Sequence, residues 1–166
     1  NPPDFNGFKM MMGKKSFFGA DNQKLGEIAA KGDFETGKGS VEKRPVLDDY
    51  AARLLKDVKP GRKLKVAWDT GNGVVGVSIH AVVDKLPGTH FILNEKVDGT
   101  FPSHHPDPTV PENLKQLQAK VKKEGCDLGI AFDGDGDRIG AIDGKGRILW
   151  GDQLMILWAR DVLKTH

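Results

Sequence analysis

Segments of strand type and helix type alternate along most of this chain, and this alternation limits the folds open to it. From residue 63 onward, short apolar runs are followed by longer segments with apolar residues at helical spacing. Strands are predicted at residues 63–69, 89–94 and 127–132, helices at 74–86, 111–124 and 152–164, and a β-hairpin at 138–143 and 147–150. This order predicts a layered α/β fold, with a mixed, mainly parallel sheet and flanking helices. The hairpin would place an antiparallel strand at one edge of the sheet.

A polar stretch divides the chain. Residues 35–45 are rich in charge and glycine and end in proline, which is typical of a domain boundary. We expect residues 1–44 to be an incomplete domain with its linker, and residues 45–166 to form the α/β domain. In the first part we predict a turn and short strand over residues 1–13, and a helix over 21–34 capped by Asp21 or Asn22. A further helix is predicted over residues 48–58.

Composition and charge narrow the class of protein. The 166 residues carry 25 basic and 23 acidic side chains, so the net charge of +2 gives no field of one sign to attract nucleic acid or a membrane. No apolar run approaches the roughly 20 residues that span a bilayer. Cys126 is the only cysteine, which excludes an internal disulfide and fits the cytoplasm. The three tryptophans are expected in the core. The absence of an initial Met suggests a piece of a longer protein.

Three aspartates alternate with glycine directly after a predicted core strand. Asp133, Asp135 and Asp137, followed by Arg138, would repel one another unless a cation neutralised them. Alternate side chains of an extended segment point to one side, and the two glycines let the loop curl so that the carboxylates converge. Oxygen ligands favour a hard cation, Mg²⁺ or Ca²⁺. Open α/β sheets place ligands at this end of a strand.

Other interpretations of the acidic loop stay open. An EF-hand requires Gly at loop position 6 and Glu at position 12, but Arg138 and Gly144 stand there, so that class fails. A polar turn with solvated aspartates is the plain alternative. A Ca²⁺-stabilised interaction module is a further hypothesis, which Ca²⁺ binding that Mg²⁺ cannot displace would support.

A second glycine cluster suggests a different function. The segment from Gly71 to Gly76 matches G-x-G-x-x-G between a predicted strand and helix, and Glu95 lies where a ribose contact is expected. A dinucleotide-binding domain is therefore the alternative function. The competing interpretation is a tight structural turn, with Asn72 as a cap of the following helix.

Four separated segments, in order, resemble the α-D-phosphohexomutase family, and within it the phosphomannomutase/phosphoglucomutase type. They are NPPDFNGFK at the start, DTGNGVVG, FPSHHPDPTVPENL, and DGDGDR after the strand DLGIAF. The resemblance spans nearly the whole chain. Under it the G-x-G-x-x-G match becomes a structural loop.

The resemblance implies a four-domain enzyme, with residues 1–44 as the end of its first domain and 45–166 as its second. It implies that the whole enzyme interconverts hexose 1-phosphates and 6-phosphates, of mannose or glucose, through a phosphoserine and a hexose 1,6-bisphosphate. Asp133, Asp135 and Asp137 would ligate Mg²⁺. The phosphorylated serine would precede Asn1, and the remaining domains would bind the sugar, so we expect this piece alone to be inactive.

The resemblance also suggests roles for single residues. Arg138 would stabilise charge on the transferring phosphoryl group, the alternative being a simple ion pair with the acidic loop. Lys9 matches a lysine proposed as a general acid/base in the family, whereas its position alone predicts a solvated side chain. For His104 and His105 we expect a loop that holds its own shape, rather than a metal or acid–base role.

Overall fold

The computed structural model describes residues 7–59 and 61–164, and the chain divides into two units, Asn1–Arg44 and Pro45–His166. In the first unit, strands β1 (Met11–Met12) and β2 (Lys15–Ser16) form an antiparallel hairpin, followed by helix α1 (Ala20–Lys31). Helix α1 begins after Gly19 and has no side-chain cap, so the prediction of Asp21 or Asn22 as N-cap was wrong. The turn predicted before residue 7 lies outside the described residues.

The second unit contains a five-stranded sheet within its described residues, in the order β4-β3-β5-β6-β7. Strand β3 pairs in parallel with both β4 and β5, whereas β6 is antiparallel to β5 and to β7. Four of these five strands therefore share one direction, and the mixed, mainly parallel sheet is confirmed. The strands are β3 (Leu64–Asp69), β4 (Gly88–Leu93), β5 (Leu128–Phe132), β6 (Ile139–Asp143) and β7 (Ile148–Leu149). The antiparallel strand β6 lies next to the edge strand β7, not at the edge itself.

Helices flank this sheet. They are α2 (Leu47–Leu55), α3 (Val75–Val83), α4 (Lys115–Glu124) and α5 (Gly151–Val162). The helix predicted from residue 111 starts as a 3-10 turn, Pro111–Leu114, before it continues as α4. Gly125 ends α4 in the left-handed conformation that a glycine adopts without strain.

The core lies between α4 and one face of the sheet. Leu117 and Val121 stand four residues apart on one side of α4 and are fully buried. Opposite them is Gly129, where a Cβ would lie 2.7 Å from Val121 Cγ2, so the helix packs closely on the strand. The buried cluster consists of Ala67, Leu114, Leu117, Val121, Cys126, Ala131 and Ile142.

The other face of the sheet carries Trp68, which is half-buried and stacks on Phe132 with ring centroids 6.3 Å apart. Its indole N–H donates to His90 Nδ1 at 3.1 Å. Trp150 and Trp158 are 44% and 47% exposed, so the prediction that they lie in the core was wrong. Among the described residues, no helix is long and apolar enough to cross a membrane.

Candidate metal centre

Three loops meet at one edge of the sheet because β3, β4 and β5 are parallel and their carboxyl ends coincide there. The first loop follows β3 and contains the glycine turn from Gly71 to Gly76. The second, residues 94–110, follows β4. The third is the acidic loop, residues 133–138, which joins β5 to β6. Ligand sites of open α/β sheets lie at this edge.

The acidic loop brings its three carboxylates together. One oxygen from each of Asp133, Asp135 and Asp137 lies within 4.8 Å of the others. Asp133 is buried at the end of β5, whereas the other two are exposed. A set of carboxylate oxygens with two members open to solvent fits a hard divalent cation that keeps some of its water. The three carboxylates therefore converge in the structure, as their alternation with glycine predicted.

Arg138 holds the buried aspartate. Its backbone N–H donates to Asp133 Oδ1 at 2.9 Å, and its side-chain Nε–H donates to Asp133 Oδ2 at 2.8 Å. Burial alone would raise the pKa of Asp133, but these hydrogen bonds and the guanidinium charge lower it below its ordinary value. The same contact raises the pKa of Arg138. The ion pair foreseen as the alternative role of Arg138 is thus present in the structure.

Asp107 lies on the other side of Arg138, with its Oδ1 3.6 Å from Nη1. The hydroxyl and backbone N–H of Thr109 donate to this carboxylate, which lowers the pKa of Asp107, and Arg138 acts in the same direction. The guanidinium therefore stands between two ionised carboxylates, one from each of two loops, while 55% of its side chain stays exposed.

The glycine turn packs against protein rather than facing an open cleft. A Cβ on Gly73 would lie 2.6 Å from the carbonyl oxygen of Gly134, in the acidic loop, and that oxygen accepts the N–H of Val74 at 3.0 Å. A Cβ on Gly76 would clash with the carbonyl oxygen of Glu95. The interpretation as a structural turn explains these contacts, and the geometry gives the dinucleotide alternative no support.

Asn72 does not cap helix α3. It adopts a left-handed conformation, and its side chain donates to the carbonyl of Lys96 at 2.9 Å. Its backbone N–H donates to the carbonyl of Asn94, and its own carbonyl accepts the N–H of Asp98. The predicted cap was wrong, since Asn72 instead ties the loop after β4 to the loop after β3.

A buried polar network beside the acidic loop was not singled out by the sequence. Asp69, the last residue of β3, is 1% exposed and accepts hydrogen bonds from Gly71 N–H and Asn94 Nδ2. Its second oxygen lies 2.9 Å from His104 Nε2. The available signal was a buried strand that ends in Asp, but its partner stands 35 positions away in the chain.

Lys9 belongs to the first unit, where its side chain is exposed two residues before β1. The remaining predicted site residues, the three aspartates and Arg138, come together in the acidic loop of the second unit. The role suggested for Lys9 therefore stays a prediction.

Comparisons with known proteins found relatives named as phosphoglucomutases or phosphomannomutases. A family model described as phosphoglucomutase/phosphomannomutase, alpha/beta/alpha domain II, matches residues 47–146. A phosphomannomutase/phosphoglucomutase of Pseudomonas aeruginosa is 45% identical over 166 residues, which is all of this chain and 36% of that protein. A phosphoglucomutase of Neisseria gonorrhoeae is 41% identical over 168 residues, again with all of this chain and 36% of that protein.

A solved structure agrees with these sequence relationships. The crystal structure of a phosphoglucomutase/phosphomannomutase family protein from Burkholderia thailandensis superposes with a TM-score of 0.90 at 42% identity, over 99% of this chain and 36% of that one. The chain thus spans about a third of the length of the relatives that it matches. It belongs to the phosphoglucomutase/phosphomannomutase family.

Proposed function

We propose that this chain is the metal-binding part of an enzyme that interconverts hexose 1-phosphates and hexose 6-phosphates, of glucose or mannose. The observation that carries the proposal is the convergence of three aspartates beside an arginine at the ligand-binding edge of the sheet. Membership of the family, whose relatives are named phosphomannomutase or phosphoglucomutase, supports the substrate class.

In this proposal Asp133, Asp135 and Asp137 hold Mg²⁺. When bound, the cation supplies positive charge that offsets the charge of the transferring phosphoryl group, which is the main requirement of such reactions. The buried Asp133 fixes the position of the site, because its backbone and both its oxygens are engaged by Arg138. The two exposed carboxylates can adjust to the ligand.

Arg138 would contact the phosphoryl group. Its Nε is committed to Asp133, whereas more than half of the side chain is exposed, so the terminal guanidinium nitrogens can reach a phosphoryl oxygen. A guanidinium held in advance by two carboxylates needs little reorganisation to stabilise developing negative charge.

The phosphoryl donor and the groups that bind the sugar lie outside this site in our proposal. Since the chain spans 36% of its relatives, we propose that the phosphoserine donor lies elsewhere in the first domain and that the sugar-binding groups lie in the remaining domains of the same enzyme. The reaction would pass through a hexose 1,6-bisphosphate, with Lys9 as general acid/base. The single cysteine keeps the cytoplasm as the proposed location.

The test is Asp135→Asn in the whole protein, with conversion of glucose 1-phosphate to glucose 6-phosphate measured against Mg²⁺ concentration. We expect the Mg²⁺ requirement to rise at least about tenfold, because one charged ligand is lost. The control is Asp161→Asn, which removes a carboxylate from helix α5 and should leave the curve in place. An unchanged Mg²⁺ dependence in Asp135→Asn would contradict the metal site, and Ca²⁺ binding that Mg²⁺ cannot displace would favour the interaction module instead.

A further inference from the structure

We infer that the pair Asp69–His104 positions the candidate metal centre, by fastening the loop of residues 98–110, here called the covering loop, over the acidic loop. The inference rests on the proposed metal-binding role of the acidic loop. It assigns to His104 a task beyond holding the shape of its own loop, although neither Asp69 nor His104 belongs to the proposed ligand set.

The pair is built as an anchor. Asp69 is 1% exposed and the His104 side chain 15% exposed, and the distance from Asp69 Oδ2 to His104 Nε2 is 2.9 Å. Nδ1 of His104 lies 3.0 Å from the carbonyl oxygen of His105. With its N–H on Nε2, the ring donates to the buried carboxylate of Asp69, and this hydrogen bond sets the orientation of the ring.

The other contacts of Asp69 hold the anchor rigid. Its Oδ1 accepts the backbone N–H of Gly71 at 3.0 Å and the amide of Asn94 at 2.8 Å. The same Asn94 amide donates to Gln116 Oε1 at 2.7 Å, so both of its hydrogens are used. His104 is therefore bound to a carboxylate that hydrogen bonds from Gly71 and Asn94 hold in place.

The covering loop, which the anchor holds, also contacts the acidic loop. Pro106, two residues beyond His104, is buried, and its Cγ lies 3.5 Å from the place of a Cβ on Gly134. Phe101 Cζ approaches the same point at 3.5 Å. Asp107 stands 3.6 Å from the guanidinium of Arg138. The covering loop thus contacts the acidic loop at Gly134 and at Arg138. The residues that make these contacts all lie within three positions of His104.

The consequence is a link from the sheet to the metal centre through side chains. If the anchor is lost, Pro106 and Asp107 are no longer held against Gly134 and Arg138. The acidic loop then samples more arrangements in the free state, and binding a cation must select one of them. The expected result is weaker metal binding by a folded protein.

The test measures Mn²⁺ binding to the full 166-residue chain by electron paramagnetic resonance. We expect His104→Ala to weaken Mn²⁺ binding by about tenfold. His104→Gln keeps a side-chain N–H donor for Asp69 and should recover most of the affinity. His105→Ala is the matched control, because this neighbouring histidine is exposed, and its side chain is not part of the anchor.

A second measurement separates positioning from mere stability. In the metal-free chain, the amide NMR signals of Gly134 and Arg138 should shift in His104→Ala and return in His104→Gln. Unchanged Mn²⁺ affinity together with unchanged signals would overturn the inference, even if the melting temperature fell. If His104→Ala does not fold, the comparison of His104→Gln with Asp69→Asn decides in the same way, since Asp69→Asn removes the charged acceptor.

The same titration distinguishes this inference from the proposed function. Loss of Mn²⁺ binding in Asp135→Asn without any effect of the His104 variants would overturn the positioning role alone. Mn²⁺ binding that survives Asp135→Asn would overturn the metal site, and the positioning role with it.

Discussion

Gly73 shows how the absence of one side chain lets two loops of the candidate metal centre come together. The position of its absent Cβ lies 2.6 Å from the carbonyl oxygen and 3.0 Å from the Cα of Gly134. Both neighbours are backbone atoms, so neither can turn aside as a flexible side chain would. The glycine turn and the acidic loop therefore approach each other as closely as two backbones can, and the N–H of Val74 bonds across the contact.

Gly73→Ala should accordingly weaken both stability and metal binding. The added methyl group must push the acidic loop away, and overpacking of this kind costs about 1–3 kcal/mol. Urea denaturation of the full chain measures the stability, and the Mn²⁺ titration measures the site. Gly99→Ala is the control, because a Cβ there meets no atom within 4 Å. Equal effects of the two substitutions would show that the backbone contact at Gly73 does not matter.

The sequence predicted the acidic loop well because its information is local. The three aspartates stand at alternate positions directly after an apolar strand, so the pattern that brings their carboxylates together can be seen in the sequence itself. The anchor could not be predicted, because Asp69 and His104 meet only when β3 and the covering loop are folded side by side. The prediction that Asn72 caps helix α3 was wrong for the same reason, since the partners of Asn72 lie in the segment after β4.

Helix α4 stabilises the sheet through one apolar face. Leu117 is fully buried within the cluster between α4 and the strands. Leu117→Ala should lower the free energy of unfolding by about 2–5 kcal/mol, since it leaves a cavity in a core that is already small. Urea denaturation monitored by circular dichroism checks this value.

Leu157→Ala in helix α5 is the matched control for that experiment. The substitution is the same and also lies in a helix, but Leu157 is 57% exposed. We expect a change within about 0.5 kcal/mol, as is usual for surface positions. A loss at Leu157 as large as that at Leu117 would mean that helix α5 is buried against another surface in solution.

Two elements near the acidic loop and the covering loop begin later in regular form than the sequence predicted. The strand predicted from residue 138 starts at Ile139, because Arg138 is held by Asp133 in the acidic loop. The helix predicted from 111 begins as a 3-10 turn after Val110, and continues in α form only from Lys115. Periodicity identified the helix but not the geometry of its first turn.

At the scale of the whole molecule, strand direction explains why the site forms where it does. Parallel pairing of β3 with β4 and β5 brings the ends of three strands to one edge. Each loop there contributes a different part: the glycine turn its close packing, the covering loop Pro106 and Asp107, and the acidic loop the carboxylates. A sheet with one of these strands reversed would separate parts that lie in contact here.

The two units differ in how many of their side chains are buried. Every described residue of the first unit is exposed or half-buried, and its helix α1 buries no side chain. The second unit contains the sheet, the buried cluster and the acidic loop. We propose that residues 1–44 are the end of a preceding domain and that residues 45–166 are a metal-binding domain of the larger enzyme.

The last prediction follows from this division: a chain of residues 45–166 should fold alone and bind Mn²⁺. We expect its thermal midpoint to stay within about 4 °C of that of the full chain, a change below about 1 kcal/mol, because no element of the core is removed. Its Mn²⁺ affinity should match that of the full chain. The control begins at residue 62 and so lacks helix α2, whose Ala51 is fully buried, and it should melt at clearly lower temperature. A chain of residues 45–166 without a cooperative transition would refute the division, because the second unit would then not be stable by itself.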